Sequence, residues 1–360
     1  MTWRERFPVL REHAYLNAGT FGPLSRATLD AMAALREWEG EHGRAGGTYC
    51  EEMLARRERV RELVAAQIAA PAANVALTAS TTQGVQVVVA GLELGAGDEV
   101  VSTDAEHFGL TGPLVAPGVD LRVAAVKGKP AADLFDLVRA QVTPKTRLIA
   151  LSAVSWIDGA VFPWRELRDA TGVPVLVDGA QAAGAIDVDA TGADFFTVSA
   201  QKWLCGPDST GALYVREVDA LPPRLVGYPA AESYDIAEGT WVPKAGAMRF
   251  EPGFTPATAL AGLEAALTDL PDGRHARARE LTERCRELLI DAGVDVATEP
   301  GQATLVSFRV AGDTTDTVRR LYDRGVLLRE LPGTGLLRAS VGWWNDESDL
   351  ERLVEGLRRR

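Results

Sequence analysis

The sequence predicts an α/β protein built on a mostly parallel sheet that helices cover on both faces. Short, continuously apolar runs, such as 148–151 and 175–177, alternate along the chain with amphipathic stretches, as in sheets buried on both sides. Glycine turns separate the two kinds of segment, for example at Gly95 and Gly97. Charged residues follow two of the apolar runs, at the edge where such a sheet binds its ligands.

The N-terminal part predicts two helices behind an irregular lead-in at 8–16. The segment 17–23, Asn-Ala-Gly-Thr-Phe-Gly-Pro, has the composition of a turn. Ser25 is suited to cap a helix that runs to residue 38, because apolar residues recur there at helical spacing. A second helix is predicted for 51–69 on the same ground, and Pro71 ends it.

Strands and helices then alternate up to residue 215. The predicted strands are 75–78, 99–103, 121–126, 147–153, 173–177, 195–198 and 211–215. The predicted helices between them are 82–92, 131–141 and 164–171. The last strand follows a loop that contains a lysine, and it is open to an antiparallel placement.

The C-terminal part has a different order of elements. Helices are predicted for 257–270, 274–292, 315–324 and 347–359, and strands for 304–310 and 336–341. This order predicts a smaller α+β domain. Since 360 residues exceed what one hydrophobic core usually serves, we predict a large domain at 15–250, which holds the ligand site, and a small domain at 251–360. Residues 1–14 are expected to pack on the small domain.

The composition argues against several classes of function. The formal net charge of −12 disfavours nucleic acids and anionic membranes as partners, since both require a basic face. The three cysteines are far apart and the four histidines form no HExxH pattern, so we expect neither a disulfide framework nor a metal site. Residues 1–6 lack a signal-peptide pattern, and no apolar run reaches the ~20 residues that span a bilayer. These features predict a reduced, cytoplasmic compartment.

Two apolar runs end near charged residues that suit one cofactor. Asp178 follows the run 175–177, and Lys202 follows the run 195–198 through Ser-Ala-Gln. In an open α/β sheet both would lie at the same carboxyl edge. Pyridoxal phosphate requires such a pair, because the lysine forms an imine with the cofactor aldehyde and the aspartate keeps the pyridine nitrogen protonated. Gln181 lies three residues after Asp178, where it can contact the same ligand.

Simpler interpretations of these residues stay open at this point. Lys202 could be an ordinary surface lysine, and Asp178 could be the N-cap of a helix. The glycine- and proline-containing loop 203–214 behind the lysine is typical of a pocket wall and favours the ligand site. A lysine in a desolvated pocket also loses basicity and becomes a usable nucleophile.

A phosphate site is indicated between the first predicted strand and its helix. The segment 79–85, Ala-Ser-Thr-Thr-Gln-Gly-Val, places hydroxyls and free amides at a helix N-terminus, which binds phosphate without a P-loop lysine. A plain Ser/Thr cap is the alternative. The patterns GxGxxG after the first strand and GxxxxGK[ST] are absent, which argues against a nucleotide-binding Rossmann enzyme.

One histidine and two arginines complete the candidates. His107 follows the strand 99–103, where it could stack on an aromatic ring and assist proton transfer, or be a loop residue without a role. Arg329 and Arg338 lie in apolar segments, where an arginine is costly unless it is paired. A substrate carboxylate would pair with them through the bidentate guanidinium, and an ion pair with Glu330 or another acid is the alternative.

Taken together, these residues resemble the class V aminotransferase group of the fold-type I enzymes that use pyridoxal phosphate. The resemblance covers almost the whole chain, from Tyr15-Leu-Asn-Ala-Gly to Trp344-Asn-Asp-Glu-Ser-Asp. Its most specific part is the order and spacing of Asp-Gly-Ala-Gln at 178–181 and Ser-Ala-Gln-Lys at 199–202. It implies a fold-type I transferase fold, with a mostly parallel seven-stranded sheet in the large domain and a smaller α+β C-terminal domain.

The resemblance also implies a role for each candidate. Lys202 would form the imine, Asp178 would pair with the pyridine nitrogen and His107 would stack on the ring, which makes these three the implied catalytic residues. Gln181 would contact the ring hydroxyl. The residues implied around the phosphate are Thr81, Thr82, Ser199 and Gln201. Gln201 stands where many relatives have a histidine, so it donates a hydrogen bond there without carrying a charge.

Further residues are implied at the edges of the site. The segment 249–255, Arg-Phe-Glu-Pro-Gly-Phe-Thr, matches a family loop that contacts the phosphate of the neighbouring subunit. The resemblance therefore implies a homodimer with shared active sites, in which Thr255 completes the cofactor site. Arg338 aligns with the arginine that binds the substrate α-carboxylate, and Arg329 and Trp156 are the other substrate-binding candidates.

The branch within the family is indicated by a missing thiol. Cysteine desulfurases carry a nucleophilic cysteine on the loop that corresponds to 330–336, whereas this chain has Glu-Leu-Pro-Gly-Thr-Gly-Leu in that loop. The cysteines of this chain lie elsewhere, at Cys50, Cys205 and Cys285. Ser155-Trp156 also replaces the Ser-Asn of many desulfurases. Several segments resemble cystine C-S lyases and isopenicillin N epimerase-like proteins more closely.

We therefore predict a pyridoxal-phosphate-dependent enzyme that acts on an L-amino acid. β-Elimination from cystine or a cysteine S-conjugate is the first choice. Class V aminotransferase, epimerase and cysteine desulfurase-like activities use the same first steps and stay open, because the cofactor supplies the chemistry and the pocket selects which bond breaks. The alternative of another class is a non-catalytic regulator or partner protein that binds the cofactor.

Overall fold

The structure, a computed structural model, describes residues 3–358. Residues 1, 2, 359 and 360 lie outside this range, and so does the predicted end of the C-terminal helix at Arg359. Within the described range, no helix is both long enough and apolar enough to cross a bilayer.

Strands and helices alternate along most of the described chain. The strands are β1 (Ala14–Tyr15), β2 (Val75–Thr78), β3 (Glu99–Thr103), β4 (Asp120–Ala124), β5 (Thr146–Ser152), β6 (Val175–Asp178), β7 (Phe195–Ser199), β8 (Gly211–Val215), β9 (Ala231–Asp235), β10 (Thr240–Pro243), β11 (Asp295–Val296), β12 (Leu305–Arg309), β13 (Val326–Leu327), β14 (Arg329–Leu331) and β15 (Leu336–Ser340). The α-helices are α1 (Arg26–His42), α2 (Gly47–Gln67), α3 (Thr81–Gly91), α4 (Phe108–Val115), α5 (Leu134–Arg139), α6 (Trp164–Thr171), α7 (Ala257–Thr268), α8 (Arg274–Asp291), α9 (Thr314–Tyr322) and α10 (Glu347–Arg358).

The largest sheet has seven strands in the order β2-β8-β7-β6-β5-β3-β4. β3 to β7 run parallel, whereas β8 is antiparallel to both β7 and β2. Successive residues of β5 serve opposite faces, since Ile149 and Leu151 join one hydrophobic core and Leu148 and Ala150 join the other. Both faces are therefore buried, which explains why the central strands are apolar throughout. The prediction of an α/β fold with a mostly parallel seven-stranded sheet is confirmed.

A second, antiparallel sheet has the strand order β11-β12-β15-β14. Its core joins Phe308 and Leu337 of the sheet to Leu321 of α9 and Leu350 of α10. The N-terminal segment attaches to this unit, because β1 pairs in parallel with β13 and Leu16 lies in the same core. The predicted domain division at 250/251, with 1–14 on the small domain, stays a prediction.

Several elements differ from the sequence-based prediction, which also lacks the short strands β1, β11, β13 and β14. The sequence analysis does not predict α4, because Gly109, Gly112 and Pro113 disfavour a helix; packing decides the outcome, since Leu110 and Leu114 are fully buried. The hairpin of β9 and β10 is not predicted either, because β9 is largely exposed and lacks a buried face. The helix predicted for 131–141 begins as a 3-10 turn and is α-helical only over α5.

A buried ion cluster fixes α2 to the edge of the large sheet. Glu251 is 1% exposed and accepts hydrogen bonds from the guanidinium groups of Arg57 and Arg61. It also accepts from the Leu77 amide of β2 at 2.9 Å, and Arg61 donates to the Val75 carbonyl at 2.9 Å. The carboxylate therefore compensates two buried cations at once.

We expect Glu251→Ala to lower the free energy of unfolding by about 3–5 kcal/mol, because two buried guanidinium groups lose the charge that compensates them. Urea denaturation followed by circular dichroism measures this loss. Glu58→Ala is the matched control, since it removes a carboxylate that also binds Arg61 but is 52% exposed, and it should cost less than about 1 kcal/mol. Equal losses in the two variants would contradict the prediction.

Candidate active site

A cavity of about 250 Å³ lies at the carboxyl edge of the large sheet. It faces the second, antiparallel sheet with α9 and α10, here called the small unit, which contributes Arg329 and Arg338 to its lining. It brings together eleven of the residues that the sequence singles out, namely Thr81, Thr82, His107, Trp156, Asp178, Gln181, Ser199, Gln201, Lys202, Arg329 and Arg338. Ser80 also lines the cavity, as the phosphate segment 79–85 predicts, whereas the residues that sequence reasoning missed are Gly19, Thr20, Phe21, Ser152, Val154 and Ala180. The segment 17–23 was recognisable as a turn, but nothing in its composition points to a pocket.

Parallel register explains why the polar residues meet. Ser152 at the end of β5 pairs with Asp178 at the end of β6, and Asp178 pairs with Thr197 of β7. The three strands therefore end at nearly the same level, so Ser199 and the turn with Lys202 follow at the same edge.

Lys202 lies in the turn after β7, which contacts the N-terminal segment. The Gly22 amide donates to the Gln201 carbonyl at 2.8 Å, and a Cβ on Gly22 would lie 1.9 Å from the Lys202 carbonyl oxygen, so only glycine fits there. Burial lowers the pKa of Lys202 to about 8; Asp178 opposes this shift, and Arg338 and Arg329 add to it. Lys202 is therefore an amine of reduced basicity inside the pocket, not an ordinary surface lysine.

Asp178 is 4% exposed and accepts one backbone hydrogen bond, from Ala180 at 2.9 Å. The segment after it is a turn instead of a helix, so the N-cap interpretation does not apply. Burial raises the pKa of Asp178, while Lys202 and His107 act in the opposite direction. A cation placed against this carboxyl group would stabilise its ionised form.

The side chain of Gln181 is held in one orientation. Its Oε1 accepts from the Trp203 indole at 2.9 Å, and its Nε2 donates to the Gly19 carbonyl at 2.9 Å. These bonds use the carbonyl oxygen and one of the two amide hydrogens. The second hydrogen is available to a ligand.

His107 caps the N-terminus of α4. Its Nδ1 accepts from the Gly109 amide at 3.0 Å, so the neutral ring carries its proton on Nε2. The ring meets Trp156 edge-on, with centroids 5.4 Å apart and an interplanar angle of 88°. Partial burial lowers the pKa of His107, and Lys202 lowers it further.

The N-terminus of α3 opens into the other end of the cavity. Ser80 caps this helix, with its hydroxyl accepting from the Gln83 amide at 3.2 Å, and the hydroxyls of Thr81 and Thr82 follow. The carboxamide oxygen of Gln201 accepts from the Ser209 amide at 3.2 Å. Free amides and hydroxyls at a helix N-terminus suit an anion such as a phosphate.

Arg338 of β15 is 1% exposed and donates from one terminal nitrogen to the Trp156 carbonyl at 2.8 Å. Its Nε and other terminal nitrogen have no partner among residues 3–358. Burial lowers the pKa of Arg338, and Arg329 adds to this effect. A guanidinium group with two buried, unpaired nitrogens is suited to a carboxylate.

Arg329 lies beside it without an acidic partner in the described part of the chain. One terminal nitrogen donates to the Thr20 hydroxyl at 3.3 Å, and Nε donates to the Glu330 carbonyl at 3.1 Å. The Glu330 carboxylate is occupied elsewhere, because the hydroxyls of Thr314 and Thr315 donate to it at 2.9 Å. The alternative of an ion pair with Glu330 is therefore wrong for both arginines.

Two further groups of residues lie outside the cavity. Thr255 is not among its lining residues, so its implied contact with a neighbouring subunit stays a prediction. No cysteine of residues 3–358 lines the cavity either. Cys205 is buried behind Lys202, Cys285 is buried in the small unit, and Cys50 is exposed on α2. Burial raises the pKa of both buried thiols, that of Cys285 to about 12.

The sequence of this chain is similar to those of known enzymes. The family model described as aminotransferase class V matches residues 15–353. A cysteine desulfurase of Klebsiella pneumoniae is 29% identical, with 99% of this chain and 97% of the relative covered. Isopenicillin N epimerase of Streptomyces clavuligerus is 28% identical, with 95% and 93% covered.

Solved structures agree with the sequence comparison. The cystine C-S lyase C-DES, in complex with its reaction product cysteine persulfide, matches with a TM-score of 0.90 and 27% identity, covering 98% of this chain and 99% of the relative. The cysteine desulfurase CsdA of Escherichia coli matches with a TM-score of 0.84 and 26% identity, covering 99% and 97%.

We expect Lys202 to react with acetic anhydride at a rate that levels off above about pH 8, because only the neutral amine reacts and the pKa of Lys202 is about 8. Mass spectrometry of peptides from protein acetylated between pH 6 and 10 gives the rate profile of this lysine. The Lys202 profile should rise with a midpoint near pH 8. A Lys202 profile that still rises tenfold per pH unit between pH 9 and 10 would contradict the assigned environment.

Proposed function

Because this chain belongs to the class V aminotransferase family, we propose that it catalyses β-elimination from a sulfur-bearing L-amino acid, with cystine as the first candidate substrate and cysteine S-conjugates as the second. The family and the fold make the chain a pyridoxal-phosphate-dependent enzyme. The bond that breaks and the substrate are the proposed part.

The residues of the cavity fit the cofactor. Asp178 is buried and has an oxygen left to accept a hydrogen bond from a protonated ring nitrogen. The spare amide hydrogen of Gln181 would donate to the ring hydroxyl, and His107 lies where it can cover the ring. The N-terminus of α3 would hold the phosphate with the hydroxyls of Thr81, Thr82 and Ser199 and the carboxamide of Gln201. Lys202 supplies the amine that joins the aldehyde.

The protein groups act in a defined order on the substrate. Pyridoxal phosphate, when bound, withdraws electrons from the substrate Cα. Arg338 binds the α-carboxylate through its two unpaired nitrogens and so fixes the orientation of the Cα–H bond. Lys202, whose lowered pKa leaves part of its amine neutral, removes the Cα proton. The Cβ–S bond then breaks, sulfur leaves with the electron pair, and the three-carbon remainder hydrolyses to pyruvate and ammonia.

Elimination is favoured over desulfuration because none of the described cysteines lines the cavity. A desulfurase reaction needs an enzyme cysteine to take sulfur from the substrate, and none of the described cysteines lines the cavity. In an elimination, sulfur leaves with the departing part of the substrate, which for cystine is cysteine persulfide. C-DES has been solved with that compound as its reaction product. Desulfurase activity is the second candidate, which the Klebsiella and Escherichia relatives favour.

The second arginine supports cystine as the substrate. Cystine carries two α-carboxylates, and the cavity offers two arginines without acidic partners, Arg338 and Arg329. Arg338 would bind the carboxylate of the half that reacts. Arg329 would bind that of the departing half, by exchanging its contact with Thr20 for a charged partner. The Trp156 ring meets His107 edge-on and Trp156 lines the cavity, so this ring would limit the shape of the sulfur substituent.

We further propose a cytoplasmic homodimer. Phe254, next to Thr255, is 57% exposed and lies beside Tyr228, which in turn contacts Tyr234, with ring centroids 6.0 and 6.4 Å apart. Such a cluster of exposed rings is typical of a surface that another chain covers. A second copy placed on it would bring Thr255 towards the partner's phosphate site. The cysteines are free thiols, which suits a reducing compartment.

A variant without thiols separates elimination from desulfuration. We expect the triple variant Cys50→Ser, Cys205→Ala, Cys285→Ala to release pyruvate from cystine at no less than about half the rate of the unmodified enzyme, because no thiol takes part in the reaction. Lactate dehydrogenase coupling measures pyruvate, and Lys202→Ala is the inactive control. No pyruvate from cystine or from S-conjugates with the loaded, unmodified enzyme would refute the lyase. Protein-bound persulfide, together with loss of activity in the triple variant, would favour desulfuration.

Arg329→Ala tests the assignment of the second carboxylate. We expect it to raise KM for cystine about tenfold or more, because a charged hydrogen bond of about 1.5–3 kcal/mol is lost. The KM for S-methylcysteine, which has no second carboxylate, should change less than about threefold. Arg338→Ala is the matched variant and should weaken both substrates alike. An equal effect of Arg329→Ala on the two substrates would refute its role.

A further inference from the structure

Glu106 precedes His107 and holds its carboxyl group against the ends of two neighbouring strands. Its Oε1 accepts from the Thr103 hydroxyl of β3 at 2.7 Å. Its Oε2 accepts from the Ser152 amide of β5 at 3.0 Å and also from the Ser152 hydroxyl. Three donors therefore converge on one carboxyl group. Ser152 and His107 line the cavity whereas Glu106 does not, so Glu106 contacts the site through these residues.

These bonds fix the turn that carries His107. Thr103 and Ser152 are the last residues of two strands that pair in parallel, so Glu106 ties the turn to the sheet at both. The Thr103 hydroxyl also accepts from the Ala105 amide at 3.2 Å, which closes the turn. The backbone of His107 follows directly, and its ring is then held by the Gly109 amide on one side and Trp156 on the other.

Glu106 also faces the other carboxyl group of the site. Ser152 of β5, which binds Glu106, is the register partner of Asp178 on β6, so one residue lies between the two acids along the edge of the sheet. Burial raises the pKa of Glu106 to about 7; the donors on Ser152 and Thr103 lower it, and Asp178 raises it again. The other charged groups of the cavity are His107, Lys202, Arg329 and Arg338. Asp178 is buried and Glu106 is partly buried, and two like charges in such surroundings do not both form without cost.

We propose that Glu106 is a positioning residue, which fixes the His107 turn on the ends of β3 and β5 and, as a second carboxyl group near Asp178, adds negative charge to the cofactor site. The inference rests on the proposed function only in that Asp178 meets the cationic ring nitrogen of the cofactor. It is independent of the amino acid that the enzyme cleaves.

Glu106→Gln removes the charge and keeps a carbonyl acceptor for Ser152. In the holoenzyme we expect this variant to lower the midpoint of the pH-dependent change in cofactor absorbance by about 0.5 pH unit or more. The sign follows because ionised Glu106, present above about pH 7, stabilises the protonated, more cationic form of the site. Asp104→Asn is the matched control. Asp104 lies in the same turn but accepts from the Val126 and Lys127 amides, so its variant should leave the midpoint unchanged.

Glu106→Ala tests the positioning role by cofactor affinity. We expect pyridoxal phosphate to bind the full chain about tenfold or more weakly, since three hydrogen bonds that hold the turn are lost, whereas Glu106→Gln should stay within about threefold. Coincident titrations of Glu106→Gln and Asp104→Asn would overturn the proposal, whether or not the alanine variant folds. A shifted midpoint in an enzyme that releases no pyruvate would refute the lyase and leave the role of Glu106 standing.

Discussion

The site depends on one constraint, the parallel register of β5, β6 and β7. This register sets Ser152, Asp178 and Thr197 at one level, so that the turns after the strands meet at a common edge. The Asp178 carboxyl group and the Lys202 amine are thereby buried, and burial raises the pKa of Asp178 and lowers that of Lys202. The pairing is sustained by apolar side chains on both faces of the sheet, which leave the backbone no freedom to change register.

The N-terminal segment around residues 19–22 lies close to both sheets and closes one side of the cavity. Gly22 lies against the backbone of the lysine turn, and a Cβ on Gly19 would lie 2.6 Å from the Arg338 guanidinium group. The Gly19 carbonyl also accepts from Gln181. Two glycines thus allow a chain segment to pass between the two sheets and touch both. The protein is acidic overall, but the side of the cavity that holds Arg329 and Arg338 is cationic, because neither arginine has an acidic partner among the described residues.

The sequence predicts those residues of the site that follow an apolar strand. Asp178 and Lys202 follow apolar strands, so their shared edge is predictable from hydrophobic pattern and the geometry of parallel sheets. The small-unit arginines are predictable because a charge in an apolar strand requires a partner. The roles of Ser152 and Glu106 are not predictable, because a serine at the end of a strand and a glutamate in a loop are both common. Only the three-dimensional structure shows that these two residues form hydrogen bonds with each other. The α4 helix is missed because tertiary packing outweighs its glycines and proline.

The bond from Arg338 to the Trp156 carbonyl joins the two units at the cavity. The groups that fit the cofactor belong to the large sheet and its loops, whereas both arginines belong to the small sheet. Under the proposed function, substrate preference and bond-breaking chemistry are therefore encoded in separate stretches of the chain. In evolutionary terms the two can diverge independently: replacements on β14 and β15 would redirect the enzyme to new amino acids while the inherited reaction centre is preserved.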